Sequence, residues 1–136
     1  MRLGKASLAG LYAALEMAAD PARHVSAGEI AEAYGISSHH LAKVMRTLVR
    51  AGLATSVLGP GGGYRFAGNP RRTTLLDVIA LFEDVDEVPA LAADPATTSP
   101  FATALAEVGE EIDAASAATL GSITLAALLR NAGCNP

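Results

Sequence analysis

The sequence predicts a mainly α-helical chain with one small β-hairpin, and three observations carry the prediction. Apolar residues recur at spacings of three and four through most of the 136 residues, the period of helices packed on one side. The run Gly59-Pro60-Gly61-Gly62-Gly63 breaks that period between two short stretches that read as strands, which is the mark of a hairpin. Late in the chain, Phe101, Leu105, Val108, Ile112 and Ala115 step by four, three, four and three, the seam of one long helix against another.

The elements follow in order. From Lys5 to Ala19, the residues Leu8, Leu11, Leu15 and Ala18 place an apolar stripe on a first helix, which Asp20-Pro21 ends. Ser26 and Glu29 are spaced as a capping box for a second helix carrying Ile30, Ala31 and Tyr34. Gly35 closes it, because glycine takes the positive φ of a tight exit. A third helix starts at Ser37 or Ser38 and runs to about Arg50, and so short a break forces the two helices to cross steeply. Residues 53 to 58 and 64 to 67 are the expected strands of the hairpin. After a basic hinge, Asn69-Pro70-Arg71-Arg72, Thr74 and Asp77 cap a fourth helix with Leu75, Val78, Ile79 and Phe82. A loop without periodicity leads to Ser99-Pro100, where proline suits the first helical position. The seam helix follows, with Ala104, Ala114 and Ala118 small enough for close approach. Ile123, Leu125, Leu128 and Leu129 form a short last helix that ends near Gly133.

Composition narrows what such a chain does. Hydrophobic residues at 51% and a net charge of -4 place it among globular domains, and its length suits one compact domain. Aromatics are 4% with no Trp, so stacking platforms for single strands or sugars are scarce. The one cysteine, Cys134, excludes an internal disulfide and a cysteine-only metal site. With no long uncharged apolar run and no signal-like N-terminus, a cytoplasmic protein without a membrane partner is expected. No nucleophile, base and orienting group come together, so no enzyme is expected. The glycine-rich run lacks the Lys-Ser or Lys-Thr and the following helix of a nucleotide-binding loop.

The charge is divided. Residues 1 to 72 hold nine basic against four acidic side chains, a net of +5, whereas residues 73 to 136 hold one against ten, a net of -9. Only the first half suits a polyanion. At about 100° per residue, the third helix gathers Leu41, Val44, Met45 and Leu48 on one side and His39, Lys43, Arg46 and Arg50 on the other. Helix, capped helix, tight turn, basic helix and glycine-tipped hairpin make a winged helix-turn-helix, whose second helix enters the major groove of double-stranded DNA. The division is therefore a DNA-binding unit at 1 to 72 and a linker helix, loop and dimerisation helices at 73 to 136. Ser38, His39, His40 and Lys43, near the start of the recognition helix, are the candidates for base readout, with Lys43 able to donate to guanine. His40 lies about 100° from the basic stripe, which leaves a hydrogen bond within the fold as its alternative. Lys5, Ser37, Arg46, Arg50 and, on the wing, Gly61, Gly62 and Arg65 are the candidates for phosphate and wing contacts. Phe101, Leu105, Val108, Ile112 and Ala115 are the candidate homodimer interface. His39 and His40 point apart on a helix and make no metal site. Cys134 is a candidate redox thiol, although no cation adjoins it in the sequence to activate it. The rival reading is a winged helix that binds an acidic protein partner instead of DNA.

Specific residues also carry a resemblance. Ile30-Ala31-Glu32, Gly35-Ile36-Ser37, His40-Leu41-Ala42-Lys43-Val44, Leu48, Ala51-Gly52-Leu53 and Gly59-Pro60-Gly61-Gly62-Gly63-Tyr64 resemble the Rrf-two family of bacterial transcription regulators, the group of the iron-sulfur and nitric-oxide responsive repressors. Met1-Arg2-Leu3 and Thr74-Leu75-Leu76-Asp77-Val78-Ile79 extend the similarity over residues 1 to 83, with a looser match beyond. The resemblance implies a homodimeric repressor or dual regulator, paired through its long C-terminal helix and reading a palindromic site. Two departures stand out. Sensing members carry three cysteines between the post-wing helix and the dimer helix, and residues 83 to 105 hold none. Asp84, Asp86, Glu87 and Asp94 offer hard oxygens instead and read as a solvated loop, so a cluster-free branch without a cofactor is expected. Members also commonly place Arg before the Gly-Pro-Gly tip, where this chain has Leu58. A small-molecule effector, if the chain answers to one, has room between the DNA-binding unit and the dimer helix.

Overall fold

Alanine-rich α1 (Lys5–Ala19) is the axis on which the other elements pack. Ala9, Ala13, Ala14 and Ala18 are buried around its circumference with Met17, and their small side chains let neighbours approach from several directions. The computed structural model describes residues 3–83 and 91–134. Around α1 stand α2 (Ala27–Tyr34), α3 (Ser38–Arg50), the hairpin of β1 (Ala54–Val57) and β2 (Gly63–Phe66), α4 (Leu75–Ile79) and α6 (Leu125–Asn131), while α5 (Pro100–Ser122) packs chiefly on α4.

Local chemistry sets most element ends. Gly4 gives α1 no side-chain cap. Glu83 supplies one from across the fold, accepting from the Gly4 N–H at 2.9 Å and from the Ser7 hydroxyl. These bonds, the Gly4 one foremost, hold the Glu83 carboxyl below its ordinary range. Ser26 accepts from the Glu29 N–H at 3.1 Å, but the other half of the expected capping box does not form. The Glu29 carboxylate instead pairs with Arg23 at 2.7 Å, since a guanidinium is a stronger partner than a neutral N–H. At Thr74 and Asp77 both halves of the box are present. Gly35 exits α2 at φ 63°, a conformation costly for any residue with a Cβ.

The hairpin is shorter than expected from the sequence, pairing Ala54 with Phe66, Thr55 with Arg65, Ser56 with Tyr64 and Val57 with Gly63. Val25 extends it as an unforeseen third edge, exchanging two 2.8 Å backbone bonds with Tyr64. Gly63 permits this, because a Cβ there would lie 2.7 Å from the Val25 carbonyl oxygen.

The basic stretch at 69 to 72 is a stitched turn rather than a free hinge. The Asn69 carbonyl accepts from Arg72 and Thr73, and Pro70 accepts from Ala126. Thr73 then bonds Leu125, and Leu75 bonds Ile123. The last helix thus returns to the first half of the chain, and Leu125 and Leu129 share one core with Met17, Leu48, Val78 and Ile79. Gly10 completes the packing of α1, since a Cβ there would meet the Phe82 ring at 2.3 Å.

Helix α5 is anchored at one end. Leu120 and Ile123 pack against the core. Along the rest, Phe101 is 79% exposed, Leu105 54%, Val108 46% and Ile112 47%. Its 23 residues make a rod of roughly 34 Å at the usual helical rise. Among the described residues no helix is long and apolar enough to cross a membrane.

Candidate nucleic-acid interface

Helix α3 is divided lengthwise. Leu41, Val44, Met45 and Leu48 are at most 2% exposed, which fixes the helix on the core and forces the opposite face outward. His39, Lys43, Arg46 and Arg50 are all exposed on that face. None of the three cations has a carboxylate partner among the described residues, whereas Arg23 is tied to Glu29. Ser37 caps the helix by accepting from the His40 N–H at 3.1 Å, and Ser38 begins it in solvent. Ser38, His39 and Lys43 therefore stand together at the exposed end.

His40 does not join them. The residue is half-buried; its Nε2 is closed off from solvent with no hydrogen-bond partner among the described residues, while other parts of the side chain line a cavity between α1 and the α2–α3 turn that includes Lys5 and Ser37. The helical angle separating His40 from the basic stripe turns it toward α1, and its Nε2 makes no hydrogen bond among the described residues.

The wing follows α3 directly, with the Leu53 N–H donating to the Leu48 carbonyl. Its tip is set by glycine: Gly59 and Gly61 have φ of 95° and 74°. A Cβ on Gly62 would fall 2.2 Å from the Val57 carbonyl oxygen, so the tip has no room for another residue there. Leu58 is 93% exposed, and Arg65 is exposed on the outward face of the returning strand, opposite Thr55.

Comparison with known proteins matches this arrangement. A family model described as Rrf2, iron-dependent transcriptional regulator, matches residues 3–131. The chain belongs to the Rrf2 family. It is 55% identical over 131 residues to the HTH-type transcriptional regulator BadM of Rhodopseudomonas palustris, covering 96% of this chain and 82% of that protein. Among solved structures, IscR of T. potens superposes with a TM-score of 0.75 at 28% identity, over 97% of this chain and 88% of that one. The oxidized form of Staphylococcus aureus CymR gives 0.77 at 24% identity, over 94% and 95%, a likeness of fold. The chain is thus a transcriptional regulator of winged-helix architecture.

Against the Rrf2 description as iron-dependent, the donor set of this chain is poor. Cys134 is exposed beyond α6, far along the sequence from the segment before α5. Asp94 uses its carboxylate locally, accepting from the Ala96 N–H at 2.8 Å. Asp84, Asp86 and Glu87 lie outside the described residues. Thiolates hold an iron-sulfur cluster, and residues 83 to 105 contain none, so this donor set does not fit one.

The candidate assembly face is continuous. Phe101, Leu105, Val108, Ile112 and Ala115 are exposed along α5, and a groove of about 480 Å3 between Leu3 and the Ile112 to Leu120 stretch prolongs them. Leu3 carried no periodic signal in the sequence, and neither did buried Gly109. The Tyr12–Tyr34 stack beside His40 was equally silent, because its two rings come from different helices.

Proposed function

We infer that the chain is a sequence-specific DNA-binding regulator that acts as a homodimer on a palindromic operator without an iron-sulfur cluster. One observation carries this reading: three cations without a carboxylate partner among the described residues form, with His39, the exposed face of a helix whose other face is locked in the core. Such a helix presents side chains to a major groove at a fixed angle. Lys43, Ser38 and His39 read base edges, while Arg46, Arg50, Lys5, Ser37 and the wing residues Gly61, Gly62 and Arg65 hold phosphates. His40, half-buried with its Nε2 closed off from solvent, is left out of this set of contacts.

The apolar stripe on α5 supports pairing, since exposed patches of this extent mark an interaction surface, and the copy's own α5 presents a matching stripe. Two recognition helices related by a two-fold axis then fall on half-sites about 34–36 Å apart. Repression is the action implied by the family resemblance, and the absence of cysteine from residues 83 to 105 supports a branch whose signal is not a cluster.

The test is selection of duplexes from a random library followed by titration across salt. A palindromic consensus bound at least a thousandfold more tightly than random duplex, with affinity falling steeply with salt, is expected. Binding that ignores sequence, or capture of acidic protein in place of DNA, would overturn the reading in favour of an interaction module.

A further inference from the structure

The first turn of α1 is held from outside the helix. Gly4 at the N-cap offers no side chain, and the turn carries no acidic residue of its own, so its free N–H groups and the positive end of the helix dipole call for an anion from elsewhere. Glu83, just past α4, supplies it. Its Oε1 accepts from the Gly4 N–H at 2.9 Å and from the Ser7 hydroxyl, across 79 and 76 positions of sequence. Ser7 is fully buried, whereas Leu3, Gly4 and Lys5 are exposed. Glu83 therefore ties the exposed start of the helix to a side chain fixed in the core, where an uncapped turn would fray.

Lys5 is the residue that this anchor places. It lines the cavity between α1 and the α2–α3 turn together with Gly35, Ile36 and Ser37, so it stands beside the N-terminal end of α3. A long, flexible lysine makes a lasting phosphate contact only where the backbone that carries it is ordered, since fixing both at once costs conformational entropy. Resting on the reading of α3 as the recognition helix, we propose that Glu83 is a positioning residue for DNA binding: by holding Gly4 and Ser7 it fixes the first turn of α1 and so sets Lys5 against a backbone phosphate beside α3. Charge alone predicts the opposite. Taking an anion away from beside the DNA-binding unit favours a polyanion through the general field, whereas loss of the anchor removes a phosphate contact, so the two effects on affinity have opposite signs.

Fluorescence anisotropy titrations of the selected consensus duplex and a random duplex across salt, with the full chain, test the anchor. Glu83→Ala should weaken both duplexes about fivefold and flatten the salt slope by about 0.9, the share of one phosphate contact, despite the lost anion. Lys5→Ala should do the same, and the double variant should bind no more weakly than Lys5→Ala alone, because the two residues act as one unit. Glu83→Gln, whose amide oxygen still accepts from Gly4 and Ser7, should restore the slope. Gly4→Pro breaks the anchor from the other side: its φ of -76° suits proline, and the ring takes the place of the donor N–H. It should reproduce the Glu83→Ala loss, and it keeps the test decisive where Glu83→Ala does not fold. Tighter or wild-type binding by Glu83→Ala or Gly4→Pro, an unchanged slope in either, or losses that multiply in the double variant would overturn the proposal. A wild-type chain with no salt-dependent binding to either duplex overturns the DNA reading itself. Steep wild-type binding that Arg50→Ala weakens and Glu83→Ala does not overturns the anchor alone.

Discussion

Leu105→Asp is the most direct test of how the chain assembles. Leu105 is 54% exposed on α5, between Phe101 at 79% and Val108 and Ile112 at 46% and 47%. Burying a whole side chain of this type is worth about 1.5–3 kcal/mol, so the exposed share of these four amounts to roughly 3–7 kcal/mol per protomer. Closing a symmetric seam doubles that, against an association cost of about 4–15 kcal/mol, so the seam can hold a dimer with help from the groove at Leu3. Aspartate removes about 1 kcal/mol of burial from each copy and places two carboxylates in the seam, at several kcal/mol per ion. A loss of at least about 4 kcal/mol, on the order of a thousandfold in the dissociation constant, follows. Because α5 is anchored through Leu120 and Ile123 rather than through Leu105, the helix content should not change. Sedimentation equilibrium reads the constant, with the exposed Glu107→Ala as a control. A Leu105→Asp protein that dimerises with the wild-type constant would refute the seam.

Three further outcomes are expected. Lys43→Ala should cost about 1–3 kcal/mol on the operator and relax base preference, whereas Arg50→Ala should weaken all duplexes alike and lower the salt slope by about 1; quantitative footprinting of both variants distinguishes them. Leu58→Arg places a cation at a wing position that is 93% exposed, so affinity should rise, most with A-tract flanks, and the salt slope should steepen by about 0.9; unchanged binding would mean that the tip does not reach DNA. Burial first, and then its bond to Glu16, raise the Tyr34 phenol to about 12, so the fold favours the neutral form. Its contribution to stability is whole below about pH 10 and is lost as pH climbs from there toward 12; ultraviolet titration should show a phenolate step near pH 12 that Tyr34→Phe removes.

Where a structural decision depends on neighbours along the chain, the sequence was legible. Gly35, Ser37, the Thr74–Asp77 box and Ser99-Pro100 act within one helical turn, and the bounds they imply agree with the helices they cap. The two faces of α3 follow from period alone. The site was less legible. His40 sits in the same first turn as Ser38 and His39, and only the presence of α1 beside the turn makes its side an interior one. The Val25 edge, the Glu83 cap on α1 and the return of α6 join residues that no local pattern connects, Ser7 and Glu83 being 76 positions apart.

By itself the sequence determined the helices, the glycine-tipped wing, the basic face of α3 and the family, because capping, φ preference and amphipathic period are short-range properties. Tertiary structure alone decided that the stretch at 69 to 72 is a stitched turn, that α6 closes the core of the first half and that α5 keeps its stripe in solvent. It also decided that His40 lines a cavity beside Tyr12 and Tyr34. Those outcomes depend on which surfaces meet, and a side chain's burial is fixed by elements that lie far from it along the chain.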